Sequence, residues 1–387
     1  MSFRALACAA LLVALAACAT DRTATAPEGP AVTPMPSAPL DAGATLTRIA
    51  FGSCLKQGDP MPILDAVMAA GPQLMVLLGD NVYGDVQDLT DPAMPELVAA
   101  YSELAARDRF TALRRDIPLL TVWDDHDYGL NDAGGAFPLK RQAEEIFADA
   151  WALPADDPRR ARPGVYTSAT IGPEGRRVQL ILLDTRYFRD PLQPTDAQGA
   201  PGRERYAPKA DEDAQMLGAR QEAWLADVLR EPADLRILVS SVQVIADGHG
   251  WEAWRMLPAA RARLYRLIAE AGADNLVIVS GDRHLGGFYR NDEAAPFPLV
   301  EMTSSSLNAP QSRWRERDGI TAVEAGPKRL GDPVYEANFG EIAIDWEART
   351  LTMTLRGEDG APQRSLRTPI GHATARYRQP DPQGGEL

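Results

Sequence analysis

The chain has 387 residues, 40 Lys+Arg against 54 Asp+Glu for a formal net charge of −14, and 45% hydrophobic residues. That apolar content supports a buried core and excludes wholesale disorder, while the length allows one large α/β domain or two ordinary ones. The acidic balance excludes a sequence-independent nucleic-acid binder, which needs a basic face to displace counterions, and makes an anionic substrate puzzling unless something local reverses the field. Three cysteines, Cys8, Cys18 and Cys54, are too few for a disulfide scaffold.

Residues 1–17 carry one early cation, Arg4, and then an apolar run short for a membrane span. A short transmembrane anchor is the alternative reading, and that length counts against it. Leu15-Ala16-Ala17-Cys18 resembles the lipobox of bacterial lipoproteins, which implies removal of residues 1–17 and lipidation of Cys18. Ala19, rather than an acidic residue, then implies outer-membrane sorting and a protein in the cell envelope facing the periplasm. Residues 18–45, rich in Ala, Pro, Thr and Gly without apolar periodicity, are expected to form a disordered tether. The folded domain is expected over 46–360, with 361–387 as a C-terminal extension ending in a loose Pro/Gly-rich tail.

Within the folded part, Leu46–Phe51 is expected as a strand running into Gly52-Ser53-Cys54. Asp59-Pro60 is expected to start a helix that Gly71 ends. Leu74–Leu78 is a continuous apolar run, the pattern of a strand covered on both faces. Glu96–Arg107 and Leu139–Trp151 read as helices around a strand at Pro118–Trp123. Val165–Ala169 and Val178–Leu183 read as a strand pair, Gln215–Leu229 and Pro258–Ala271 as helices, and Leu235–Ser240 and Leu276–Val279 as further strands. Ile342, Ile344, Trp346 and Leu351, Met353, Leu355 alternate with polar residues, as in a half-exposed hairpin. The pattern predicts an α/β fold of two packed mixed β-sheets flanked by helices.

Ligands of α/β sheets bind beyond the C-terminal ends of the strands. Here the first strand runs out at Cys54, the second at Gly79-Asp80-Asn81-Val82-Tyr83, the third at Asp124-Asp125-His126-Asp127. The strand before the hairpin region ends at Ser280-Gly281-Asp282-Arg283-His284. One strand-end Asp is ordinarily a helix cap; four successive metal-ligand clusters predict a metal site. Cys54 is either a thiolate ligand or a small buried apolar residue, and its place beside the carboxylates favours the ligand. Oxygen donors dominate the set, which favours hard cations such as Ca²⁺ or Fe³⁺, and a phenolate with a thiolate suits ferric iron; Mn²⁺ or Zn²⁺ stay open.

Gly79-Asp80-x-x-Tyr83, Trp123-Asp124-Asp125-His126-Asp127, Leu183-Asp184-Thr185-Arg186 and Ser280-Gly281-Asp282-Arg283-His284 resemble the PhoD-like alkaline phosphatase/phosphodiesterase family of calcineurin-like metallophosphoesterases. Leu217-Gly218-x-x-Gln221-x-x-Trp224-Leu225 and Glu301-Met302-Thr303-Ser304-Ser305 resemble its signatures too, and the likeness runs from about Arg48 to Gly357. The resemblance implies that Asp80 bridges two metals, that Cys54, Tyr83 and His284 complete an iron site, and that Asp125 and Asp282 complete a calcium-type site. His126 stands where the superfamily places a proton donor.

Such a metal pair implies hydrolysis of phosphate esters, mono- or diesters, by a hydroxide shared between the metals. Arg186 and Arg283 are candidates for contact with the phosphoryl oxygens, or for ordinary ion pairs. Asp247-Gly248-His249-Gly250-Trp251 with Trp254 could wall a substrate pocket or form a structural loop, and Gln243 could touch the second metal. The expected partners are a phosphoester small molecule or lipid head group and, through the lipid anchor, a membrane. The rival reading is a non-catalytic envelope lipoprotein that uses metal only to hold its fold or bind a ligand.

Overall fold

The computed structural model describes residues 31–371. The expected leader, Cys8, the lipidation site Cys18, His372 and the final tail lie outside the described residues.

In chain order the elements are β1 (Arg48–Gly52), α1 (Ile63–Ala70), β2 (Leu74–Leu77), α2 (Pro95–Ala105), α3 (Asp108–Asp116), β3 (Leu119–Thr121) and the one-turn α4 (Asp125–Tyr128). Next come α5 (Lys140–Ala150), α6 (Pro158–Ala161), the hairpin β4 (Thr167–Ile171) and β5 (Val178–Leu182), a small ribbon of β6 (Gln193–Pro194) and β7 (Tyr206–Ala207), and α7 (Gly218–Val228). The last third holds β8 (Leu235–Ser240), α8 (Pro258–Glu270), β9 (Leu276–Ser280), β10 (Gly286–Asn291), β11 (Leu299–Ser304) and α9 (Gln311–Arg317). It ends with β12 (Arg329–Val334), β13 (Asn338–Asp345), β14 (Thr350–Gly357) and β15 (Pro362–Pro369).

Two large mixed sheets result. One has the order β15-β14-β13-β1-β2-β3, with β1, β2 and β3 parallel; the other has the order β12-β10-β11-β9-β8-β5-β4, with β11, β9, β8 and β5 parallel. Continuous apolar strands let both faces of the second sheet be covered. Leu180, Leu182, Ile237, Val239, Val277 and Val279 point into the core shared with Ile49, Phe51, Val76, Ile342 and Met353 of the first sheet. Ile181, Leu183, Leu238 and Ile278, the alternate residues, pack under α7 and α8 against Leu225, Val228, Leu264 and Ile268. No helix of the described residues is long and apolar enough to cross a membrane.

The sandwich brings the C-terminal ends of β1, β2 and β3 against that of β9. A Cβ on Gly281 would stand 2.6 Å from Ser53 Oγ, so only glycine lets the two strand ends close on each other. Gly79 has φ +105, and a Cβ there would meet Asp124 N at 2.6 Å, so β2 and the β3–α4 turn are also in direct contact.

Several expectations shift. Helix α1 begins at Ile63 rather than at Pro60, and Asp59 instead pairs with Arg313 at 2.8 Å. The hairpin β13–β14 alternates as expected, with Ile342, Ile344, Leu351, Met353 and Leu355 buried and Ala343, Asp345 and Thr352 outward, except that Glu341 and Thr354 on the outward face are also covered. Beyond residue 360 the chain adds β15, an edge strand whose polar outer residues hid its buried Leu366 and Thr368. The stretch 31–45 has no regular secondary structure but is not a free tether. Met35 is buried with its N–H donating to Ala150 O at 2.7 Å, Ala38 N–H donates to Arg114 O at 2.7 Å, and Ala42 O accepts from Gly172 N at 2.9 Å. Met35→Ala is therefore expected to lower the unfolding free energy by about 2–4 kcal/mol. Urea denaturation monitored by tryptophan fluorescence measures it, and a change within about 0.5 kcal/mol would mean the segment does not pack in solution.

Candidate active site

Four of the strand-end residues sit in left-handed backbone: Cys54 (φ 56°), Asp80 (φ 51°), Asp282 (φ 68°) and His284 (φ 55°). Each such non-glycine residue costs on the order of 1–3 kcal/mol and persists only where its surroundings over-determine it. Here they do. Leu55 N–H donates to Asp80 O at 2.8 Å, His284 N–H to Ser305 Oγ at 2.7 Å, and Gln311 N–H to His284 O at 2.9 Å. Asp124 caps α4 in a capping box with Asp127. The Asp127 carboxylate also accepts from Asp80 N at 3.2 Å and from Asn81 Nδ2 at 2.5 Å, tying the loops after β2 and β3 together.

These turns aim a crowd of donor atoms at one place. Ligand atoms of Cys54, Asp80 and His284 lie within 4.8 Å of one another, as do those of Asp80, Asp125 and His126, and of Asp124, Asp125 and Asp282. Asp80 is common to the first two sets and Asp125 to the last two. Cys54 Sγ is 3.4 Å from Asp80 Oδ2 and 3.1 Å from Ser305 Oγ, and the Tyr83 hydroxyl is 3.5 Å from Asp80 Oδ2. His284 Nδ1 donates to the carbonyl of Ala309 at 2.5 Å, which fixes the tautomer and leaves Nε2 as the free donor pair.

The electrostatics are those of a site short of positive charge. Burial, then Cys54 and Asp125, raise Asp80 well above the usual carboxylate range; burial, then Asp124, Glu252 and Asp125, do the same to Asp282. Burial pushes the Cys54 thiol up to about 12 and the His284 imidazole down to about 4. Asp80 Oδ1 is buried without a hydrogen-bond partner. A buried, partnerless carboxylate oxygen among thiol, imidazole and further carboxylates fits cations, and the thiolate that Cys54 needs as a ligand is a form only a neighbouring cation supplies at neutral pH.

His126 packs on the Tyr83 ring at 4.3 Å, and its Nδ1 is 2.6 Å from Asp85 Oδ2. Burial disfavours its charge, but Asp125 and the Asp85 hydrogen bond outweigh that and raise it to about 9.

The two arginine candidates separate. Arg186 is fully buried, its guanidinium 2.5 Å from Asp124 Oδ1 and 2.6 Å from Glu252 Oε2, with Ala133 O also accepting. It does not border the cavity in front of the metal-ligand cluster, so the expected phosphoryl contact is corrected to a positioning role behind Asp124 and Asp125. Arg283 does border that cavity, paired with Glu324 at 2.6 Å and lying 5.5 Å from the Trp251 ring.

The cavity measures about 660 Å³ and is bordered by Asp80, Asp125, His126, Asp282, Arg283 and His284. Of the residues singled out as pocket walls, Trp251 borders it. Trp254 is buried beneath α8 with its indole donating to Ser240 Oγ, and Gln243 is engaged by His249 and Thr303 rather than by the cluster. Sequence reasoning missed Asp85, Asp132, Glu252, Ser305 and Arg205. None follows a strand directly except Ser305, and the chain distances from Asp132 to Arg205 or from Arg186 to Glu252 leave no local signal.

A family model described as PhoD-like phosphatase matches residues 49–355. The alkaline phosphatase D of Bacillus subtilis (strain 168) is 26% identical over 185 residues, which cover 43% of this chain and 31% of that protein. The match thus spans about a third of the curated relative. Among solved structures, the "Structure of PhoD" superposes with a TM-score of 0.65 at 15% identity, covering 87% of this chain and 72% of that one. "GAP50 the anchor in the inner membrane complex of Plasmodium" superposes with a TM-score of 0.51 at 13% identity, covering 86% and 90%. At these identities both likenesses concern the fold.

The charge imbalance predicts a pH dependence. Above about pH 7.5 the buried imidazoles of His249 and His284, both lowered, are neutral in the folded chain and nearly so in the unfolded one, and add little slope. Asp80 and Asp282 keep protons there that the unfolded chain has released, and His126 stays protonated up to about 9. The folded state therefore binds more protons, and its stability falls as pH rises. Urea unfolding of chelator-treated protein between about pH 7.5 and 8.5 is expected to show this decline, and stability that rises over the window would mean these groups are ionised and paired.

Proposed function

The chain belongs to the PhoD-like phosphatase family, and from that premise we propose that it hydrolyses phosphate esters at the cavity floored by Cys54, Asp80, Asp125, Asp282 and His284. The observation that carries this reading is the convergence of donors from four strand ends, with Asp80 shared between two ligand sets and one of its oxygens left without a partner. Cys54, Tyr83, His284 and Asp80 would hold iron; Asp80, Asp125 and Asp282 would hold calcium, the thiolate and phenolate favouring the former and the all-oxygen set the latter. When bound, such cations acidify water to a nucleophile at neutral pH and neutralise charge on the phosphoryl oxygens.

The chain's own residues do the rest. Asp85 orients His126 through Nδ1 and, with Asp125, favours its protonated form, so the imidazolium can give its proton to the departing ester oxygen. Arg283, backed by Glu324 and Trp251, stands at the cavity wall to meet the equatorial phosphoryl oxygens. Arg186 holds Asp124 and Glu252, and through them the turn that presents Asp125. The apolar N-terminal run and Leu15-Ala16-Ala17-Cys18 support placing this activity in the cell envelope on a lipid anchor.

Asp80→Asn is expected to reduce hydrolysis of 4-nitrophenyl phosphate and bis(4-nitrophenyl) phosphate by at least about 1,000-fold. It should not lower the Tm of chelator-treated protein, because the change relieves carboxylate crowding. Elemental analysis of the same preparations should find iron in the wild type and lose it in Cys54→Ser. Wild-type protein that carries iron and calcium yet hydrolyses neither ester would refute the reading.

A further inference from the structure

One wall of the cavity is apolar where the chemistry of the metal-ligand cluster gives no reason for it. Only three large hydrophobic side chains among the described residues are strongly exposed: Leu89 at 40%, Ile320 at 44% and Val323 at 52%. Two of these three border the 660 Å³ cavity, where Ala322, Trp314, Trp251 and Pro201 join them. An isolated exposed leucine or valine is ordinary; a contiguous apolar run facing a cavity is a recognition surface.

The segment that carries the run is held in place by polar groups alone. Ile320 N–H donates to Arg315 O at 2.8 Å, and Arg315 Nη2 donates to Ala322 O at 2.7 Å while its guanidinium lies 3.8 Å from the Tyr335 ring centroid. Glu324 is clamped by Arg283 at 2.6 Å and its carbonyl by Arg329 at 2.9 Å. Ile320 and Val323 keep about half of their surface uncovered on this polar-anchored segment and border the cavity. The wall also reaches the reacting centre, because Trp314 packs edge-on against the His284 ring at 5.0 Å.

Resting on the phosphoester reading, we propose that this wall receives a hydrocarbon arm of the substrate, which makes the preferred substrate a phosphodiester of at least one apolar alcohol. The arm is placed on the alcohol retained on phosphorus, with Trp314 and His284 on the wall that holds it. The bond broken is the P–O bond to the other alcohol, which leaves with the proton from His126. Water supplies the new P–O bond, and the apolar arm stays on the monoester product.

The test uses two diesters with one leaving group, 4-nitrophenyl methyl phosphate and 4-nitrophenyl hexyl phosphate, so that leaving-group acidity is constant. Wild type is expected to favour the hexyl ester by about tenfold or more in kcat/KM, chiefly through KM. The double variant Ile320→Ser/Val323→Ser is expected to bring the ratio toward one, while Leu89→Ser, remote from the cavity, keeps the wild-type ratio. Calorimetric binding of hexyl phosphate against methyl phosphate gives the same comparison without turnover. Hydrolysis with a wild-type ratio near one, or a ratio unmoved in the double variant, overturns this inference and leaves the phosphoester reading standing. Absence of hydrolysis of every ester overturns both.

Discussion

The structure turns on a repulsion. Where the ends of β1, β2 and β3 meet the end of β9, the fold buries Asp80, Asp124 and Asp125 and half-buries Asp282, with Asp125 within 4.8 Å of each of the other three and of Asp132 and Glu252. Two ionised carboxylates 4.8 Å apart repel by about 3–4 kcal/mol even at an effective dielectric of 20. A handful of such pairs matches the entire net stability of a typical domain, about 5–15 kcal/mol. The fold answers from two sides. From within, the fully buried Arg186 neutralises Asp124 and Glu252; on the cavity side the His126 imidazole stands beside Asp80 and Asp125, and Asp80 and Asp282 answer by holding protons. The left-handed turns at Cys54, Asp80, Asp282 and His284 are part of the same arrangement, since they hold donors in positions that relaxed backbone would let separate.

Their partners, not burial alone, separate the two arginines. Arg186 and Arg283 both follow strand ends and look equivalent as residue types. Arg186 has no exposed surface and two carboxylates on its guanidinium, so any movement toward a ligand would strand two buried negative charges. Arg283 keeps one partner, Glu324, at the edge of the cavity, where exchanging it for a phosphoryl group exposes the freed carboxylate to solvent rather than to the core. One residue type thus serves as scaffold in one place and stands at the cavity in another, and the difference lies in the partners around it.

The same distinction marks what was legible in the chain itself. Strands and their sequels were readable because continuous apolar runs end abruptly at polar residues: Leu74–Leu77 into Asp80, Leu276–Ser280 into Asp282 and His284. The metal-ligand types were therefore visible without tertiary information. Groups that orient those ligands were not. Asp85 reaches His126 across 41 residues, Ser305 reaches Cys54 across 251, and Glu252 meets Arg186 only through the fold. The Ala/Pro/Thr composition of 31–45 signals a lack of helix or strand, yet Met35 still packs into the core, since side-chain burial needs no regular backbone. In β15, polar outward residues masked a two-residue periodicity that only the neighbouring β14 makes meaningful.

A net charge of −14 and a cavity bordered by Asp80, Asp125, Asp132, Glu252 and Asp282 set the long-range field against any anionic ester. Cations held at the cluster would reverse that field only within a Debye length of about 8 Å at physiological ionic strength. Affinity gathered further from the cluster must come from a force that is indifferent to the sign of the protein's charge. Apolar burial is such a force: it scales with area removed from water and is unaffected by the potential around it. Under the proposed reading, Ile320 and Val323 on a polar-anchored segment, with Trp314 linking them to His284, would let the acidic protein hold an anionic head at the cluster through an uncharged grip on the arm. The exposed apolar wall and the buried acidic floor are, on this view, two halves of one solution to the same electrostatic problem.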